Sequence, residues 1–118
     1  MALVLDASAA LAWLVRRVDP EEDRRADEAL RFLHKNGAVV PALWFPEFAS
    51  GVLVAERKGG ISASTSASFL GFVDTLPIEQ DTARPASTLG TVMMLARAYQ
   101  LTAYDATYLE LVLRIGVT

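Results

Sequence analysis

Three short runs of apolar, mostly branched residues constrain this chain more than any other feature. They are Leu3-Val4-Leu5, Ala38-Val39-Val40 and the stretch from Leu76 to Glu79 centred on Ile78. Each is too short for a helix; the first two read as buried strands and the third as a strand. Long segments of helical periodicity separate them. Parallel neighbours need such crossovers, so alternating strands and helices predict an α/β domain with a short parallel sheet.

The helical segments carry their own punctuation. Ser8 offers a hydroxyl to cap a first helix running to about Arg17. Asp19 and Pro20 open a second, with Glu21, Glu22 and Asp23 in its first turn. Ala26, Ala29, Leu30 and Leu33 form its apolar stripe, and Asn36-Gly37 ends it. Pro41 closes the second strand. A helix from about Leu43 then turns Phe45, Phe48, Ala49, Val52 and Leu53 inward and stops at Gly59-Gly60. Ser62 starts a helix to about Thr75. Leu89, Val92, Met93 and Ala96 mark another that ends near Gln100. Thr102 begins the last, with Tyr104, Tyr108, Leu111 and Ile115 along one side.

With 118 residues and 53% hydrophobic composition, the chain is expected to form one domain, residues 1–118, with an ample core. It has no cysteine, which excludes a disulfide scaffold and a thiolate metal site and suits the cytoplasm. Asp6 interrupts the amino-terminal apolar run and no basic residue precedes it, so a signal peptide is not expected. No apolar stretch is long enough to span a membrane. The formal net charge of −3 excludes a diffuse basic surface for nucleic acid. Contacts to phosphate must be local, and the pairs Arg16-Arg17, Arg24-Arg25 and Arg57-Lys58 are either such contacts or solvated helix faces.

Sites in parallel sheets form beyond the carboxyl ends of the strands. Asp6 follows the first strand directly, and Glu47 follows the second after a short turn. A hard cation such as Mg²⁺ takes oxygen ligands from one or two carboxylates and keeps several waters. Each acid also has an ordinary structural role to fill. Asp6 can end a strand and cap the next helix. Glu47 suits the first turn of a helix. Asp105 stands three residues after Thr102, as in a capping box. Spacing alone leaves both roles open.

The wording around these acids adds to the argument. Val4-Leu5-Asp6-Ala7-Ser8-Ala9-Ala10-Leu11, Pro41-Ala42-Leu43-Trp44-Phe45-Pro46-Glu47-Phe48-Ala49 and Leu101-Thr102-Ala103-Tyr104-Asp105-Ala106-Thr107-Tyr108-Leu109 together resemble the PIN-domain family, and within it the VapC-like toxins of type II VapBC toxin–antitoxin pairs. The resemblance runs through the whole chain, including the third strand. It implies a three-layer α/β/α fold and an endoribonuclease dependent on Mg²⁺ or Mn²⁺. It also implies a homodimer and neutralisation by a VapB-like antitoxin, whose apolar helix lies in a groove and whose Arg reaches the acids. Asp6, Glu47 and Asp105 match the family's first three acids, which implies that they are catalytic metal ligands. Ser8 and Thr102 match its small hydroxyl residues, which implies support for those ligands.

One departure is evident. The family continues with a further strand, often carrying a fourth acid, where this sequence reaches Gly116-Val117-Thr118. No residue matches that acid, and Asp74, Glu79 and Asp81 read as solvated loop charges. The first strand is then expected at a bare sheet edge. Three explanations stay open: an incomplete sequence, a shortened and weakened enzyme, or an edge covered by a partner.

Other residues suggest less. His34, the only histidine, sits near a helix end and has no serine-nucleophile setting. Trp13, Trp44 and Phe45 could stack bases, but their neighbours point to core or dimer contacts. Two alternative functions remain. One is a PIN-like interaction module without catalysis. The other is a receiver-type phosphoacceptor domain, which needs a late lysine, whereas Lys35 and Lys58 are the only lysines.

Overall fold

The computed structural model describes residues 3–14 and 20–115, with the side chain of Glu22 excepted. The first helix, expected to run to about Arg17, ends at Leu11 with Ala12 as its C-cap and a turn over 12–14; the pair Arg16-Arg17, the cap at Asp19 and the terminal Gly116 to Thr118 lie outside the described residues.

The described chain is an α/β unit built on a parallel sheet in the order β1 (Leu3–Val4), β2 (Ala38–Val40), β3 (Ile78–Gln80). Leu3 pairs with Ala38 and Ala38 with Ile78, so the strands run in register across the sheet. Among the described strands β1 is an edge, as the sequence suggested. The third strand starts later than its apolar run predicts. The Leu76 amide is taken by the Val73 carbonyl of the preceding helix, at 3.0 Å, and Pro77 has no N–H to give. The paired strand begins at Ile78, just after the Pro77 carbonyl accepts the Ala38 amide at 2.9 Å.

Six helices surround the sheet among the described residues: α1 (Ala7–Leu11), α2 (Pro20–Asn36), α3 (Trp44–Arg57), α4 (Ala63–Asp74), α5 (Pro85–Tyr99) and α6 (Ala103–Ile115). The cap of α1 is Asp6, not Ser8. Asp6 has extended backbone, and its carboxylate accepts the Ser8 amide at 2.7 Å. Ser62 caps α4 as expected, accepting the Thr65 amide at 3.1 Å. Gly37, with φ +80°, ends α2 in the left-handed conformation that glycine adopts without a Cβ clash. Gln100 takes the same role after α5 at φ +54°.

Helix α3 differs from its expected orientation. Trp44, Phe48 and Val52 form the buried row, while Phe45 is 42% and Leu53 43% exposed, and Ala49 is also exposed. The apolar stripe therefore begins one residue earlier, at the i, i+4, i+8 spacing of one helix face. Trp44 stacks on Phe48 with ring centroids 4.8 Å apart, and Phe48 meets Phe69 of α4 at 5.7 Å. Truncating a buried aromatic anchor of this kind to alanine costs about 3–5 kcal/mol. Gly51, on the same helix, lets α1 approach closely. A Cβ built there would lie 2.2 Å from Leu11 Cδ1. This contact seats Asp6, at the head of α1, close to the first turn of α3.

A second cluster of Val92, Leu95 and Ala106 joins α5 to α6. Leu89, Met93 and Tyr104, expected on apolar stripes, are exposed instead at 59%, 40% and 65%. An ion pair fixes this helical hairpin to the sheet. Arg114 of α6 donates to both carboxylate oxygens of Asp81, at 3.1 and 2.6 Å, just beyond β3, and also to Glu110 at 2.8 Å. Asp81 is thus a partnered acid and not the solvated loop charge its sequence position suggested.

The Arg114 hydrogen bonds hold the Asp81 carboxyl below its ordinary value, against the opposing effect of burial. A lowered folded-state value adds stability above the unfolded-state value and loses it as pH falls through the folded one. Asp81→Asn should therefore cost about 1–2 kcal/mol in urea unfolding at neutral pH. The gap from wild type should close as pH drops below about 4. A gap that stays constant with pH would show that the pair does not form.

Candidate functional site

The site gathers at the carboxyl ends of the strands, where three distant segments meet. Asp6 leaves β1 and caps α1. Its Oδ1 accepts both the amide and the hydroxyl of Ser8, each at 2.7 Å, so Ser8 fixes the orientation of the carboxylate. Glu47 lies in the first turn of α3, where the helix dipole favours an acid. Pro46 fits beside it because first-turn amides have no intrahelical partner. Asp105 occupies the first turn of α6, and its amide donates to Thr102 Oγ1 at 3.1 Å. Thr102 is thus the cap that sets where α6 begins. All three acids are solvent-exposed.

Tyr108 links the acids. Its hydroxyl donates to Glu47 Oε1 at 2.7 Å, across 61 residues of sequence. Burial, the Glu47 hydrogen bond and the charges of Glu47 and Asp6 all raise its pKa above the ordinary phenol value. The phenol therefore stays protonated at neutral pH and acts as a donor. Asp105 precedes Tyr108 by three residues, which places both on one face of α6, about 4.5 Å apart along its axis.

Among the described residues, no three acids or histidines stand together in a way that could hold a metal ion. Glu47 accepts the Tyr108 hydroxyl, the Asp6 charge acts on the same phenol, and Asp105 stands one turn away along α6. The donor set still suits a hard cation. Neither Asp6 Oδ2 nor Glu47 Oε2 is used in the hydrogen bonds above, and Mg²⁺ needs only one or two carboxylates when it keeps its waters. A closed cage of three direct carboxylates is not what these residues form.

Tyr108 is the site residue that sequence reasoning missed. Its apolar ring placed it in the core stripe of the last helix. The available signal was its spacing: a tyrosine three residues after an acid shares that acid's helix face, and a half-buried phenol needs an acceptor.

Two of the three aromatic candidates, Trp13 and Trp44, have structural roles, whereas Phe45 is exposed. Trp44 is 1% exposed. Trp13 donates its indole N–H to the Ala26 carbonyl of α2 at 3.0 Å, tying α2 to the turn after α1. His34 and Lys35 line a hollow with Gly37 and Ala38 at the amino end of β2, away from the acids. That position gives Lys35 no route to a phosphoryl group at the acids, and Lys58 lies beyond the far end of α3.

Beside Asp6 opens a cleft of about 410 Å³ between α1 and α2, lined by Asp6, Ser8, Ala12, Arg25, Ala26 and Ala29 among others. No family model and no curated protein matches this sequence.

The Tyr108–Glu47 bond is testable by itself. Tyr108→Phe keeps the ring and removes the donor, and should cost about 0.5–1.5 kcal/mol in urea unfolding. Glu47→Gln combined with it should be less destabilising than the two single effects summed. Strict additivity would show that the bond is not made in solution.

Proposed function

We propose that this chain is a PIN-like, VapC-type endoribonuclease that uses Mg²⁺ or Mn²⁺ and the carboxylates of Asp6, Glu47 and Asp105. One observation carries the reading: the Tyr108 hydroxyl, one helical turn from Asp105, donates to Glu47 and also feels the charge of Asp6, so acids that follow two different strands act on one group. The resemblance of all three sequence segments to that family supports it, as does the parallel sheet with its acids at the carboxyl edge.

A divalent ion would supply Lewis acidity toward a phosphodiester and lower the pKa of water. Asp6 and Glu47 would hold it through the oxygens that Ser8 and Tyr108 leave free. Ser8 keeps the Asp6 carboxylate from rotating, and Tyr108 does the same for Glu47. Thr102 fixes the start of α6 and with it the placement of Asp105, which would act through water. The exposure of all three acids leaves room for a polymeric substrate. A homodimer, a VapB-like antitoxin and a cytoplasmic setting belong to the same reading. Among the described residues no helix is long and apolar enough to cross a membrane.

A second reading, a PIN-like interaction module without catalysis, is favoured by one finding: no three of the described acids form a metal-holding group. Incubation with total RNA and Mg²⁺ separates the two. The ribonuclease should yield discrete fragments, EDTA should abolish them, and Asp105→Asn should slow their appearance by at least about tenfold. Intact RNA after incubation with the wild-type protein and Mg²⁺ would leave only the interaction module.

A further inference from the structure

The proposed site explains how acids are gathered but not how a polyanion approaches them. Asp6, Glu47 and Asp105 repel phosphate, and the chain as a whole carries a net charge of −3. An RNA strand at this edge therefore needs a specific cation beside the acids.

The cleft between α1 and α2 holds one. Arg25 lines it on the α2 side, opposite Asp6 and Ser8, and it is the only cation among the described lining residues. Other described cations are engaged or lie elsewhere. Arg24 pairs with Glu21, and Arg114 with Asp81 and Glu110. Arg25 is exposed and has no ion-pair partner among the described residues.

The surroundings of Arg25 are built and do not depend on a loose surface helix. The Trp13 indole is bonded to the carbonyl of Ala26, the next residue after Arg25, so this turn of α2 is anchored to the α1 segment. Ala12, Ala26 and Ala29 leave the cleft wide, at about 410 Å³. That is room for a nucleotide unit. A guanidinium offers paired donors matched to phosphate oxygens and keeps its charge at any working pH.

We propose that Arg25 and the α1–α2 cleft form a phosphate subsite that holds a backbone phosphodiester of single-stranded RNA next to the one cut at the acids. Arg25 is a positioning residue: it sets the register of the strand and takes no part in bond breaking. This inference rests on the ribonuclease reading above.

Binding tests it apart from cleavage. Fluorescence anisotropy with a short, randomised, labelled single-stranded RNA is measured across a salt series, with Ca²⁺ replacing Mg²⁺. Losing one phosphate contact should lower the slope of log K against log salt by about 0.7. Arg25→Gln should show that drop and bind several-fold more weakly. Arg25→Lys should recover the slope, and Arg97→Gln, on α5 outside the cleft, should leave it unchanged. Equal slopes for wild type and Arg25→Gln would overturn the subsite, and Mg²⁺-dependent RNA cleavage by that same wild-type protein would leave the ribonuclease reading standing. A wild-type protein that neither binds nor cleaves RNA would overturn both.

Discussion

The hydrogen bond from Tyr108 to Glu47 is the contact on which the site depends. It joins α6 to the first turn of α3 and stands beside Asp6 at the head of α1. Two carboxylates brought together in a folded chain repel each other and cost stability. The protonated phenol supplies a donor to Glu47 within the field of Asp6. Burial and the bond to Glu47 raise the pKa of that phenol, with the Asp6 charge adding to them, so it stays a donor to Glu47.

The frame around this contact explains why it can be held. Gly51 allows α1 to lie against α3 closely enough that a side chain at that position would collide with Leu11. Trp44 and Phe48 seat α3 on the sheet, and Phe69 carries the aromatic contact on to α4. The α5–α6 hairpin has a separate small core and is joined to the sheet by Arg114 and Asp81. The position of Tyr108 thus depends on one side on an apolar helix contact and on the other on an ion pair. Those two kinds of interaction respond differently to salt and pH.

Much of the fold was legible because short apolar runs and helix punctuation are local signals. The strand at Ala38–Val40, the cap at Ser62 and the stop at Gly37 follow from nearest neighbours. The failures are competitions that a local pattern does not resolve. Asp6 and Ser8 can both cap α1, and the extended backbone at Asp6 decides for the acid. Leu76 can start a strand or end a helix, and the Val73 carbonyl claims its amide. The face of α3 was misplaced by one residue because Trp44 and Phe45 are both aromatic, and only packing distinguishes them. At the site, residues that were chosen for their charge were visible. Tyr108 was hidden because it buries most of a ring and contributes a single hydroxyl. Arg25 was legible only as half of a basic pair, since nothing local separates it from Arg24, which turns to Glu21.

Metal affinity tests the central claim most directly, because the Asp6–Glu47 pair around Tyr108 is proposed to take up a divalent ion without a third direct carboxylate. Calorimetric titration with Mn²⁺ should show saturable binding to the wild-type protein. Asp6→Ala and Glu47→Ala should each weaken it by at least about tenfold. Absence of Mn²⁺ binding, or equal affinity in the wild type and both variants, would contradict the account.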